Sequence, residues 1–258
     1  MKTPAGRAES TAPFDAWVPG DYLRDYYREV EPDEIQAIRF FVDASRTGPV
    51  GPAACFGAGP ALHHVFLAAP RATALYLTDY LPANLAEIDR WLRRQPGAHD
   101  WTPFVRYTLR CEGAADSQEA VAAREDLVRR LVSGLSSADA GDVDPMGAEY
   151  RGFFSLVLSA FCADSATDDR ATWVRYMRNI ASLVAPGGLF LTSALRKCAA
   201  YKVGDRYFPS ANVDASDLRA VLELDFAPES ILVETRDLPE HQGQGYSGIL
   251  LARATRRP

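Results

Sequence analysis

The 258 residues carry 28 basic and 34 acidic side chains, a formal charge of −6, with 47% hydrophobic and 24% charged residues. That is enough chain for one sizeable α/β domain with a covered sheet, and the composition is that of an ordinary soluble globular protein. Negative net charge argues against nucleic acid as the main partner, because no surplus of cations is present to neutralise phosphates. No apolar run approaches the roughly 20 residues that cross a bilayer, so no membrane partner is expected.

The chain opens on a polar tail over residues 1–18, expected to be flexible. Helical spacing of apolar residues marks helices over 19–30 and 32–44. An apolar strand over 50–56 runs into Gly57-Ala58-Gly59-Pro60, then a helix over 61–69 and a second strand over 72–78 that stops at Asp79. A helix over 83–94, a third strand over 104–111 and a helix over 119–132 follow, and the Ser-, Gly- and Asp-rich stretch 133–147 reads as a loop. The apolar run 153–160 is a fourth strand. A helix over 170–183 then stops at Pro186-Gly187-Gly188, and a fifth strand restarts at 189–192. A short helix over 216–224 precedes two closing strands, 230–235 and 248–252. Strands alternating with helices predict an α/β, doubly wound, mostly parallel seven-stranded sheet with helices on both faces and ligands at its carboxyl edge.

Cys55, Cys111, Cys162 and Cys198 lie far apart with no CxxC pair, and His63, His64, His99 and His241 form no ligand spacing with them. The thiols therefore read as reduced, in a cytoplasmic protein, with no disulfide and no metal site expected.

Strand, glycine turn, helix, strand and acid is the order that adenosine-containing cofactors require. Glycines let the backbone approach the ligand, and a carboxylate about 20 residues on accepts two ribose hydroxyls. A nicotinamide cofactor fits poorly. The chain has no Tyr-x-x-x-Lys pair, since Ser193 and Cys198 stand four residues before Lys197 and Lys202, and the loop lacks a third glycine. S-adenosylmethionine needs only a short glycine loop.

Several stretches together resemble the nicotinamide, phenylethanolamine and indolethylamine N-methyltransferase family of class I, Rossmann-like enzymes. They are Asp21-Tyr22-Leu23-Arg24-Asp25-Tyr26-Tyr27, Gly57-Ala58-Gly59-Pro60, Thr78-Asp79-Tyr80 with Asn84, Trp91-Leu92, Asp100-Trp101-Thr102-Pro103, Ser159-Ala160-Phe161-Cys162 and Pro186-Gly187-Gly188. The resemblance implies one methyltransferase domain over 1–258, with an N-terminal helical lid over 19–45 and a Rossmann-like core over 49–254. It implies S-adenosylmethionine as cofactor and S-adenosylhomocysteine as product. Tyr22, Tyr27, Gly57, Ala58, Gly59, His63, Asp79, Tyr80, Asn84 and Ala160 would contact the cofactor, with Leu135 and Ser136 at the adenine or, in their place, Asp139 or Asp142. Cys55 departs from the acid that many methyltransferases place at the start of the glycine loop.

For the acceptor, the resemblance points to Tyr26, Phe161, Asp164, Ser193, Lys197, Tyr201, Gln244 and Tyr246, with Asp164 as anchor or proton acceptor. Phe161 and Tyr201 would sandwich a flat ring. One acid beside Arg196 and Lys197 suits a small aromatic acceptor with a single amine, arylethylamine- or indole-like, in specialised metabolism. Methylation of a ring carbon, as in indole, and a non-catalytic cofactor-binding module are the alternatives. A small-molecule acceptor is the expected partner, and the expected assembly is a monomer or weak homodimer. Plainer roles stand beside these: Tyr26, Trp91 and Trp101 as packing residues, Asp164 as the cap of a turn.

Overall fold

A computed structural model describes residues 11–258 of the chain. Its frame is a sheet of seven strands in the order β3-β2-β1-β4-β5-β9-β8. β1 (Gly51–Phe56), β2 (Ala72–Asp79), β3 (Val132–Ser137), β4 (Phe154–Ala160) and β5 (Val184–Leu195) run parallel, and β9 (Gly248–Thr255) is antiparallel to both β5 and β8 (Leu232–Asp237). A hairpin of β6 (Ala200–Val203) and β7 (Arg206–Pro209) stands apart from the sheet.

Alternation along each strand divides the core between two faces. On β1, Ala53 and Cys55 pack in one apolar cluster, Ala54 and Phe56 in the other. The first face is covered by α2 (Pro32–Ser45), α3 (His63–Ala68), α4 (Pro82–Leu92), α5 (Thr102–Glu112) and α6 (Gln118–Leu131). The second is covered by α7 (Arg170–Ala181) and α8 (Ala215–Glu223) through Trp173, Met177, Ile180, Leu218 and Leu222. Caps fix several helix starts. Ser117 accepts from the Ala120 amide at 3.3 Å, Asp169 from Thr172 at 2.7 Å, and Asp214 forms a capping box with Asp217.

Two expected elements change. Residues 104–111 are not a strand but part of α5. Thr102-Pro103 starts the helix, the Asp100 side chain accepts from the Thr102 amide at 2.9 Å, and Gly113 ends it at φ 78°. The buried residues Phe104, Val105, Thr108 and Leu109 form one helical stripe. The third strand instead lies at the start of the expected loop 133–147. β3 is an edge strand whose order comes from pairing with β2, and Gly134 sits opposite Tyr76 because an added Cβ would stand 2.8 Å from that ring. The hairpin β6–β7 was not anticipated from sequence.

Residues 1–10 of the expected tail lie outside the described residues. From residue 11 the chain packs on the molecule: the Ala12 amide donates to the Tyr207 carbonyl at 2.7 Å, and Phe14 stacks on Phe208. α1 (Pro19–Tyr26) follows, and its Tyr26 hydroxyl donates to the Lys202 carbonyl of the hairpin at 2.6 Å. Among the described residues no helix is long and apolar enough to cross a membrane.

Candidate active site

The strand order reverses direction between β1 and β4, and in such sheets the ligand crevice opens at the carboxyl ends of those strands. The glycine loop leaves β1 there, and Ala160-Phe161-Cys162 leaves β4 beside it. Gly57 must be glycine: its φ is +64°, and a Cβ would lie 2.1 Å from the Cys162 Sγ. Gly59, at φ +63°, has open space beyond it, with the Tyr22 ring 3.8 Å from the position of a Cβ. These segments border one cavity of 570 Å³, a size ordinary for small-molecule sites.

Asp79 ends β2 at the cavity wall. One of its oxygens accepts from the Gly59 amide at 2.8 Å, the other from the Leu81 amide at 2.8 Å and the Asn84 side chain at 2.9 Å. Burial pushes its carboxyl above the ordinary range, and these three donors oppose that shift. Asn84 in turn accepts from the Trp17 indole at 3.1 Å. A carboxylate offers about four lone-pair sites, so three donors leave room for a further one from the cavity. An adenosine ribose fits that arrangement.

Aromatic rings enclose the rest. Trp17 lies 4.8 Å from Tyr22 between ring centroids, and Tyr22 lies 5.0 Å from Tyr26 and 5.3 Å from Tyr27. Burial raises the tyrosine hydroxyls of Tyr22, Tyr26 and Tyr27 above their usual range, so these rings stay neutral. Tyr201 donates to the Ser165 carbonyl at 3.3 Å, and Phe161 takes φ +49° at the end of β4.

Four acceptor residues expected from sequence (Tyr26, Phe161, Tyr201 and Tyr246) border this cavity together with ten expected cofactor residues: Tyr22, Tyr27, Gly57, Ala58, Gly59, His63, Asp79, Tyr80, Asn84 and Ala160. Six expected site residues are not among those bordering it. Leu135 and Ser136 are held in β3 opposite Leu77 and Thr78, and the chain beyond them brings Ala138, Asp139 and Ala140 to the cavity instead. Asp164 is 1% exposed and turned toward β5, where it accepts from the Leu195 amide at 2.8 Å and the Ser165 hydroxyl at 3.4 Å. Burial pushes its carboxyl up to about 7. Ser193 is buried within β5, Lys197 points to Asp214 at 3.0 Å, and Gln244 is bonded to His241.

Other residues bordering the cavity carried no sequence expectation. Trp17 lies in the stretch that reads as a tail. Asp33 and Glu34 look like ordinary first-turn acids after Pro32, favoured at any helix N-terminus. Asp33 instead accepts from the Tyr246 hydroxyl at 2.8 Å and the Glu34 amide at 2.8 Å, with His241 at 3.8 Å. Burial and the neighbouring Glu34 charge raise Asp33 to about 6. Burial alone would also raise Glu34, but His63 and His64 outweigh it and hold that carboxyl below its ordinary range. His64, buried beside His63, falls to about 4.

A profile of the NNMT/PNMT/TEMT family matches residues 7–256. The chain belongs to the NNMT/PNMT/TEMT family. Among relatives in that family, human nicotinamide N-methyltransferase is 30% identical over 167 residues, which is 65% of this chain and 62% of that protein. This match thus spans less than two thirds of the human protein's length. Indolethylamine N-methyltransferase of Oryctolagus cuniculus is 27% identical across 84% of each chain. Phenylethanolamine N-methyltransferase of Bos taurus is 27% identical across 98% of this chain and 93% of its own. In fold, the chain is similar to the N-methyltransferase NodS from Bradyrhizobium japonicum WM9 in complex with S-adenosyl-L-homocysteine. The TM-score is 0.52 at 13% identity, covering 88% of this chain and 89% of that one. The expected doubly wound, Rossmann-like class I methyltransferase fold is therefore present, and the family resemblance read from the motifs holds.

Proposed function

We propose that this family member transfers a methyl group from S-adenosylmethionine to the nitrogen of a small aromatic amine. The observation that carries the reading is that an acid bonded to the glycine loop, a box of neutral aromatic rings and a pair of buried acids, Asp33 and Glu34, all border one cavity. When bound, S-adenosylmethionine supplies a methyl group already activated on a sulfonium sulfur. Asp79 would accept from a ribose hydroxyl through its remaining site, the glycine loop would lie along the cofactor, and Asp139 is the acid nearest to hand after β3. Tyr22 and Tyr27 offer ring faces to a cation, an attraction of about 0.5–2 kcal/mol each when desolvated.

The acceptor would lie against Phe161 and Tyr201, with Asp33 as the acid that grips its amine. Tyr246 holds the Asp33 carboxylate in place at 2.8 Å. Phe161, Tyr201 and Asp33 would hold the acceptor nitrogen with its lone pair in line with that activated methyl group. The nitrogen's surplus proton passes to Asp33 or to water. The chain's contribution is alignment and exclusion of water, worth up to roughly 7–11 kcal/mol when well organised. The relatives' names supply the acceptor classes of nicotinamide, indolethylamine and phenylethanolamine, and an arylethylamine or indole-like amine of specialised metabolism fits an aromatic box with Asp33 and Glu34 at its wall. A cytoplasmic protein acting as monomer or weak homodimer, without nucleic acid or membrane, completes the reading.

The test is a screen of arylamines with methyl-labelled cofactor and structural identification of the product. N-methylated product is expected, and methyl on a ring carbon would reverse the assignment of the atom. Calorimetry should show S-adenosylhomocysteine binding, and its absence would sink the reading as a whole. Asp33→Asn should raise KM for the amine roughly 10- to 100-fold with a smaller change in kcat, as loss of a charged contact does. An unchanged KM would remove Asp33 from the site.

A further inference from the structure

The first turns of α2 and α3 meet at the cavity wall and bring together three side chains that sequence spacing keeps apart. His63 and His64 are consecutive, and their ring centroids lie 3.8 Å apart. Their Nε2 atoms stand 3.0 and 3.4 Å from the same Oε2 of Glu34. All three residues are buried, at 4%, 6% and 3% exposure, and all three border the cavity. Yet neither Nε2 nor the Oε2 has a hydrogen-bond partner of acceptable geometry. The atoms are close together but not aimed as donor and acceptor. The three convergent atoms, and the His63 Nδ1 behind them, are four buried polar atoms without a partner, which is costly unless something else satisfies them.

A metal ion satisfies the three convergent atoms at once. Zinc binds imidazole nitrogen and carboxylate oxygen at about 2.0–2.2 Å, which at tetrahedral angles sets neighbouring ligand atoms about 3.3–3.5 Å apart. The two contacts to Glu34 are close to those edges, and the three ligand atoms all fall within 4.8 Å of one another. Two imidazoles and a carboxylate suit a first-row transition ion rather than calcium or magnesium, which prefer oxygen alone. The Tyr27 hydroxyl stands 3.5 Å from the other oxygen of Glu34, placed to orient the carboxylate as outer groups do at metal sites.

We propose that Glu34, His63 and His64 form a three-ligand site for a divalent transition ion, zinc being the best match, with its open coordination position toward the cavity. The ion ties the start of α2 to the start of α3. Its open position takes water or a nitrogen or oxygen donor of a molecule in the cavity. The site stands on these side chains alone, independent of the acceptor reading.

The experiment uses the full chain stripped with a chelator. Calorimetric titration with Zn²⁺ should show one ion per chain, and Co²⁺ should give the intense visible bands of a four-coordinate ion. His64→Ala and Glu34→Gln should each weaken Zn²⁺ binding by at least about 10- to 100-fold and abolish the cobalt bands. Cys111→Ser, which removes a half-buried thiol outside the site, should bind as the parent does. Lack of stoichiometric Zn²⁺ binding by the parent, or binding that survives both ligand substitutions, overturns the proposal. Should the substituted chains fold poorly, the parent's cobalt spectrum decides alone: bands lacking nitrogen-ligand character refute the site. S-adenosylhomocysteine binding by the zinc-free chain keeps the cofactor reading separate from this result.

Discussion

Asp164 shows how a residue's neighbours set its role. The acid stands just past β4, in line with a position that the family resemblance assigns to the acceptor, yet its carboxylate is spent on the Leu195 amide. Burial raises its pKa to about 7 from an ordinary 3.8, so folding favours the protonated form. A raised folded-state pKa contributes stability that is complete below pH 4 and is lost as pH climbs through about 7. Asp164→Asn keeps an oxygen to accept from Leu195 and removes the charge. The variant should therefore gain stability over the parent progressively from pH 4 to about 7 and level off above, measured as thermal midpoint against pH. Parallel profiles for the two proteins would show that Asp164 does not titrate in this way. Asp33 is the reverse case. Nothing in Pro32-Asp33-Glu34 distinguishes a cavity acid from a first-turn acid, because the difference lies in Tyr246, 213 residues away.

At the level of elements, local chemistry was readable where it carried its own punctuation. β1, the glycine loop, β2 and Asp79 all fell where expected, because the turn needs glycine and the strands are buried runs. β3 and α5 did not. β3 is Val-Ser-Gly-Leu-Ser-Ser, polar and half-exposed, and is a strand only because β2 lends it a ladder. α5 holds Phe104-Val105 and Thr108-Leu109, adjacent pairs that suit a strand until Pro103 and Gly113 are read as its ends. The glycine loop supplies the test at this scale. Gly57→Ala meets both a positive φ and the Cys162 sulfur, whereas Gly59→Ala meets only the φ. Both should cost about 1–2 kcal/mol for the left-handed backbone, and Gly57→Ala distinctly more. Equal losses in chemical denaturation would contradict the tight packing of loop against β4.

Across the whole molecule, one sheet carries two apolar clusters, so neither face can come apart without disturbing the strands of the other. Leu109→Ala on α5 and Leu222→Ala on α8 each remove a buried side chain, one per face. Each should lower stability by about 2–5 kcal/mol and shift one common unfolding transition. Two separable transitions would mean that the faces unfold independently. Family membership, the mostly parallel doubly wound sheet and the place of Asp79 at the end of β2 were all within reach of the sequence. The convergence of Glu34 with His63 and His64 was not, because it needs α2 and α3 placed against each other. Trp17, in a stretch that reads as a tail, was equally out of reach.

The bond from that indole to Asn84 links Trp17, through one side chain, to the acid at the cavity wall. The chain's other tryptophans, Trp91, Trp101 and Trp173, are packed at 5%, 1% and 2% exposure, and of these Trp101 lies against the cavity residues Tyr27 and His63. Trp17 alone looks onto the cavity. Occupation of Asp79 should shift the emission of Trp17, and a Trp17→Phe chain should lose most of that shift, which would make the indole a built-in fluorescent gauge of the cavity's occupant.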